Sequence, residues 1–126
     1  FETVLPELVA ELPALRSERA LLSGRIARRM AAAVQPFRPA FITPMAAVAG
    51  SVAEEILAQM IGPGIARAYV NNGGDIALHL TPGTDLVCAL AQGGSVRLQA
   101  AQPFRGIATS GWRGLELIGS GRHTVE

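Results

Sequence analysis

Lysine is absent from this chain: all eleven basic residues are arginine. That absence excludes a P-loop lysine, a Schiff-base lysine and a lysine general base. Cysteine is nearly absent, with Cys88 alone, which rules out an internal disulfide and a cysteine-rich zinc site and fits a reducing compartment. Histidine occurs only at His79 and His123, and aspartate only at Asp75 and Asp85. No His/Asp/Glu spacing suggests a preformed metal site. No apolar run approaches the roughly 18–20 residues that cross a bilayer, and no basic-then-apolar leader opens the chain. A net charge of +1 gives no field for nucleic acid or an anionic membrane surface. These exclusions lead to the expectation of a cytoplasmic protein with neither nucleic-acid nor membrane partners. The chain begins at Phe1 rather than methionine, so terminal segments are expected to be missing.

What is present is one domain's worth of sequence, 126 residues with a 49% apolar share, enough for a packed core. The first thirteen residues are apolar and acidic, with Pro6 and Pro13 as breakers, and read as a loop or short helix. From Ser17, a plausible N-cap, Leu22, Ile26, Met30 and Val34 recur at helical spacing, and Pro36 and Pro39 end the run. Arg25, Arg28 and Arg29 lie on another side of that helix and are expected to be solvated. A second helix follows Thr43 and Pro44, which suit a cap and a first turn. Val48, Val52, Ile56 and Met60 form one apolar stripe beside Ala49, Ala53, Leu57 and Ile61. Ala46, Ala47, Ala49 and Gly50 are small and permit close approach of another backbone. Gly62-Pro63-Gly64 stops the helix.

The period then changes from helical to extended. Residues 66–70, 75–80, 86–90, 96–100 and 104–108 read as strands, separated by Asn72-Gly73, Pro82-Gly83 and Gly93-Gly94 turns. Short links imply an antiparallel meander, and helices followed by strands imply an α+β fold, an antiparallel sheet with helices packed on one face. No internal boundary or repeat divides the chain.

Two polar stretches carry chemistry. At Asn71-Asn72-Gly73-Gly74-Asp75 the turn is either a plain hairpin or a cradle whose backbone N–H groups hold an anion. Asp75, beside those donors, suits a hydroxyl, an amide or a metal. At Thr109-Ser110-Gly111 the hydroxyls either contact phosphate or a heterocycle or simply finish a strand. A serine-hydrolase elbow fails, because Ala108 and Trp112 stand where G-x-S-x-G needs glycines. Cys88 reads as a small core residue, and His79 and His123 as structural or exposed.

Three motifs in order, Pro44-Met45-Ala46-Ala47-Val48-Ala49-Gly50, Val70-Asn71-Asn72-Gly73-Gly74-Asp75-Ile76 and Gly106-Ile107-Ala108-Thr109-Ser110-Gly111, resemble a bacterial and archaeal family of unassigned function, UPF two-eighty. That family is a distant relative of the ApbE flavin transferases, which bind FAD and, with magnesium, move FMN onto a threonine or serine of a partner protein. The resemblance implies an ApbE-like fold and a flavin nucleotide, FAD or FMN, or another phosphate-bearing small molecule as ligand. Asn71, Asn72, Gly73, Gly74 and Asp75 would match one ligand-binding segment, and Thr109, Ser110 and Gly111 the other. Ala49 stands where the transferases carry a lysine. Residues 115–126 hold no aspartate, although the transferases draw their magnesium ligands from a late Ala-Asp-Ala-x-x-Thr stretch. Either that segment lies outside this chain or the metal site is gone. The alternatives to a transferase are a binder without turnover and a homo-oligomeric structural protein built on the small-residue helix and sheet.

Overall fold

The computed structural model describes residues 2–18, 21–37, 39, 41–90, 93–109 and 116–119. Among the described residues, four α-helices precede six strands. The N-terminal helices α1 (Val4–Ala10) and α2 (Leu12–Leu15) lead to α3 (Arg25–Val34). A 3-10 turn over Pro44–Ala47 then opens α4 (Val48–Met60). The strands are β1 (Arg67–Asn72), β2 (Asp75–Leu80), β3 (Asp85–Ala89), β4 (Ser95–Gln99), β5 (Phe104–Ala108) and β6 (Glu116–Gly119). This is the α+β class that the change of period implies.

The predicted stripe of the first long helix is its packed face. Ile26, Met30 and Val34 are buried, and Ile26 and Met30, with Leu15 and Ala27, close on Val4, Leu8, Met45, Val48 and Val52. The helix does not start at Ser17, however. It starts after Gly24, and the Glu11 carboxylate does the capping from outside: it accepts hydrogen bonds from Ser23 N at 2.6 Å and Gly24 N at 2.8 Å. The helix N-terminus has orphan N–H groups and a positive dipole end, so a carboxylate from another segment satisfies it as a local cap would. Thr43 likewise sits at the N-cap of the 3-10 turn in extended conformation, but its side chain makes no cap bond; Ala46 N donates to its carbonyl instead.

The solvated arginine face is also corrected. Arg29 bridges to Glu54 at 3.1 Å and to Glu55 at 3.0 Å, and Arg25 reaches Glu55 at 3.4 Å. Glu55 is only 4% exposed, so α4 buries a carboxylate that α3 must neutralise. Sequence periodicity placed both groups off the apolar stripes but could not show that the two polar sides face each other.

On its other side α4 lies on a sheet. Ala53 and Leu57 pack on Ala68, Val70 and Ala77 of the β1–β2 hairpin. The sheet order is β1-β2-β5-β6, all antiparallel, and β3 and β4 form a separate two-stranded sheet. The expected continuous meander is therefore broken after β2. The reason lies in β2 itself, which is covered on both faces. Ala77 faces α4, whereas Ile76, Leu78 and Leu80 face away and require a cover of their own. The β3–β4 hairpin supplies it by folding under the sheet, with Leu86, Cys88, Val96 and Leu98 against Leu78, Leu80 and Ile107. A turn at Thr81–Thr84 redirects the chain. Thr84 N and Oγ1 both donate to the Thr81 carbonyl, Thr81 N ties back to Ala66 O, and Gly83 takes φ +82°. The vacated side of β2 pairs with β5, where Gly106 sits opposite Ala77. There a Cβ would meet Ile76 O at 3.1 Å, so glycine permits the close strand approach.

Candidate functional site

The Asn71–Asp75 segment is a hairpin turn with Gly73 and Gly74 at its tip. Their φ values of +64° and +107° are glycine conformations, and the Asn72–Asp75 pair closes the ladder below them. The asparagines divide the work. Asn71 Oδ1 accepts from Gly74 N at 3.0 Å and stabilises the turn from within. Asn72 Nδ2 donates to Ala49 O at 3.1 Å and ties the turn to the first turn of α4. The small residues read at 46–50 thus do permit a close approach, and the approaching group is this turn. The Gly74 N–H is already engaged, so it is not a donor for an external anion.

Strand alternation sorts the remaining residues. Asn72, Asp75, Ala77 and His79 share the face of the sheet toward α4, because cross-strand partners and i, i+2 neighbours lie on one side. Asp75 is 3% exposed and lines a narrow cleft with Gly50, Glu54, Arg105, Gly106 and Ile118. The cleft has a volume of about 10 Å3, room for about one water, and shares Glu54, Ala77 and Arg105 with a wider one of about 360 Å3, which adds Arg29, Leu57, Ala58, Ile61 and His79. Small-molecule sites commonly occupy about 300–1,000 Å3. The two clefts form one groove between α4 and the β2–β5 part of the sheet, with Asp75 at its narrow end.

The second predicted segment arrives at the same end. Thr109, at the close of β5, donates through Oγ1 to Gly74 O at 3.2 Å, across 35 positions of sequence. A Cβ on Gly74 would collide with that hydroxyl. The structure thus joins Asn71, Asn72, Gly73, Gly74, Asp75 and Thr109 at one corner of the sheet. Ser110 and Gly111, together with Trp112 and His123, lie outside the described residues.

Arg105, His79, Arg29 and Glu54 line the groove without having been singled out as site residues. For His79 a signal existed, since Asp75, Ala77 and His79 alternate along one strand. For Arg29 the signal was an arginine face that could bind an anion but was expected to be solvated, and for Glu54 none existed, because its place depends on how α3 crosses α4. Among the described residues, no group of three or more His, Cys, Asp or Glu side chains gathers to hold a metal. Cys88 packs beneath the opposite face of the sheet, where burial pushes its thiol pKa up and disfavours the thiolate. No described helix is long and apolar enough to cross a membrane.

Neither a curated protein nor a solved structure matches this sequence. A family model does: the one described as "AbpE bacteria" matches residues 1–118, nearly the whole chain, so the protein belongs to that family.

Proposed function

We propose that this protein binds a flavin nucleotide, or a closely similar phosphate-bearing small molecule, in the groove between α4 and the β2–β5 part of the sheet, on an ApbE-like fold. One observation carries the reading. Two polar motifs that resemble flavin-transferase segments, far apart in sequence, meet through the Thr109–Gly74 hydrogen bond next to Asp75, whose narrow cleft adjoins a wider one of ligand size. Asp75 would hold a ring N–H or ribityl hydroxyl, since a carboxylate only accepts hydrogen bonds, and Thr109 would contact the same part of the ligand. The apolar wall of Leu57, Ala58 and Ile61 suits a planar heterocycle, and Arg29 and Arg105 suit a phosphate. A bound flavin would supply a planar ring able to accept electrons or to act as a group for transfer. The residues at hand favour binding over transfer, because lysine is absent and Asp75 and Glu54 are the only described carboxylates lining the narrow cleft.

The test is a titration of the protein with FAD, with and without magnesium, followed by flavin fluorescence. Saturable binding indifferent to magnesium supports a binder, and magnesium-dependent binding supports a transferase-like site. No binding at high micromolar FAD overturns the flavin reading. The engaged Gly74 N–H favours a second reading, a purely structural turn. Asp75→Asn separates the two: lost binding with unchanged melting supports a site, and lost stability alone supports the turn.

A further inference from the structure

Among the described residues Arg105 alone donates to three backbone carbonyls, whereas Arg67 donates to one, Asp85 O at 3.2 Å. Arg25 and Arg29 are paired with Glu55 and Glu54, and Arg97 bridges to Asp85 at 2.6 Å. The Arg105 guanidinium instead donates to three backbone carbonyls, those of Gln102, Phe104 and Ala100, each at 2.7 Å. Among the described residues no carboxylate pairs with it. Carbonyl oxygens fix the orientation of a guanidinium without cancelling its charge. Nη1 donates twice and Nη2 once, which leaves the Nε–H and one Nη2–H of its five donors. The side chain is half-buried and lines both parts of the groove, and Arg29 and His79 line the wider part with it. A preorganised cation in a partly desolvated cleft is a seat for an anion.

We propose that Arg105 is the phosphate seat of the groove: it takes a phosphate or diphosphate ester. This deepens the ligand reading above, on which it rests, and moves the phosphate from the glycine turn to the middle of the groove. The heterocyclic end of the ligand is thereby directed toward Asp75.

The experiment is calorimetric titration of the whole chain with inorganic pyrophosphate, for the wild type and for Arg105→Gln. We expect saturable binding by the wild type and a weakening of about tenfold or more in the variant, the scale of one lost charge-assisted hydrogen bond. Absence of wild-type binding, or equal binding by a folded variant, overturns the proposal. Arg105→Gln also removes hydrogen bonds that tie the β4–β5 connection, so a measurement on the wild type stands beside it. Phenylglyoxal modification mapped by mass spectrometry should show Arg105 protected by pyrophosphate, with Arg97 unaffected; equal reaction of Arg105 with and without pyrophosphate refutes the seat. Riboflavin and FMN distinguish this inference from the flavin reading. Pyrophosphate binding without either flavin keeps the seat and removes the flavin. Riboflavin and FMN binding equally, with Arg105→Gln indifferent, keeps the flavin and removes the seat.

Discussion

Gly74→Ala should be far more costly than Gly73→Ala, although the two glycines are adjacent in one turn. Gly73, at φ +64°, lies in the left-handed region, and a Cβ there meets nothing within 4 Å. Alanine in that region costs about 1–2 kcal/mol, offset by about 0.4–1 kcal/mol from the lower entropy of the unfolded chain. The net loss is about 1 kcal/mol or less. Gly74, at φ +107°, lies outside that well, and its Cβ would run into Thr109 Oγ1. Backbone strain of about 1–3 kcal/mol and overpacking of about 1–3 kcal/mol then add, and after the same unfolded-chain offset the net loss is about 1–5.5 kcal/mol. Urea unfolding measures this. With a slope of about 1–3 kcal/mol per molar, the Gly74→Ala midpoint should fall about 1 M below that of Gly73→Ala. Thr109→Ala in the Gly74→Ala background removes the obstructing hydroxyl and should recover about 1–2 kcal/mol in a double-mutant cycle. Equal midpoints for the two glycine variants, or no recovery with Thr109→Ala, would refute the placement of Thr109 against the turn. The convergence of the two motifs would fall with it.

Three other predictions concern the scaffold. Glu55→Gln, which leaves Arg29 and Arg25 short of a buried carboxylate, should lower stability by about 1.5–3 kcal/mol, whereas Glu54→Gln, on the more exposed side of the same pair, should cost about 0.5–1 kcal/mol; urea midpoints decide. Leu98→Ala should cost about 2–5 kcal/mol, because Leu98 is the fully buried anchor of the β3–β4 hairpin under the sheet, and a loss near zero would contradict that stacking. Hydrogen bonds from the Ser23 and Gly24 backbone N–H groups hold the Glu11 carboxyl below its ordinary value of 4.5. A depressed carboxylate stabilises the fold above its unfolded pKa, and that contribution disappears as pH falls through the lower folded value. The acid limb of urea midpoint against pH should therefore be shallower in Glu11→Gln, and an unchanged limb would show that the cap carries no linkage.

The parts of this fold written in short-range pattern are those the sequence reveals. The α4 stripes and the five strands follow from periods of 3.6 and 2 with glycine and proline punctuation and are found within a residue or two of their expected places, whereas the first long helix begins at Arg25, well after Ser17. The topology was less legible. A hairpin that pairs beside β2 and one that folds beneath it have the same local sequence, and only the double-sided burial of β2 decides between them. The cap of α3 was hidden for a related reason: Glu11 lies 12 positions before Ser23. At the site, the polar turn and Thr109 were readable as motifs. Their meeting, and the presence of Arg105 and Arg29 beside them, depends on strand order and helix crossing, which local spacing does not encode.

The central claim is that the groove between α4 and the sheet binds a flavin nucleotide with its polar end at Asp75. Amide chemical-shift mapping of the protein titrated with FMN tests it most directly. The account predicts saturable shifts at Gly74, Asp75, Ala77, His79 and residues 105–109 and at Gly50, Glu54, Leu57, Ala58 and Ile61 on the helix side, with the β3–β4 hairpin on the far face unmoved. Shifts centred on that hairpin, or none at high micromolar FMN, would contradict it.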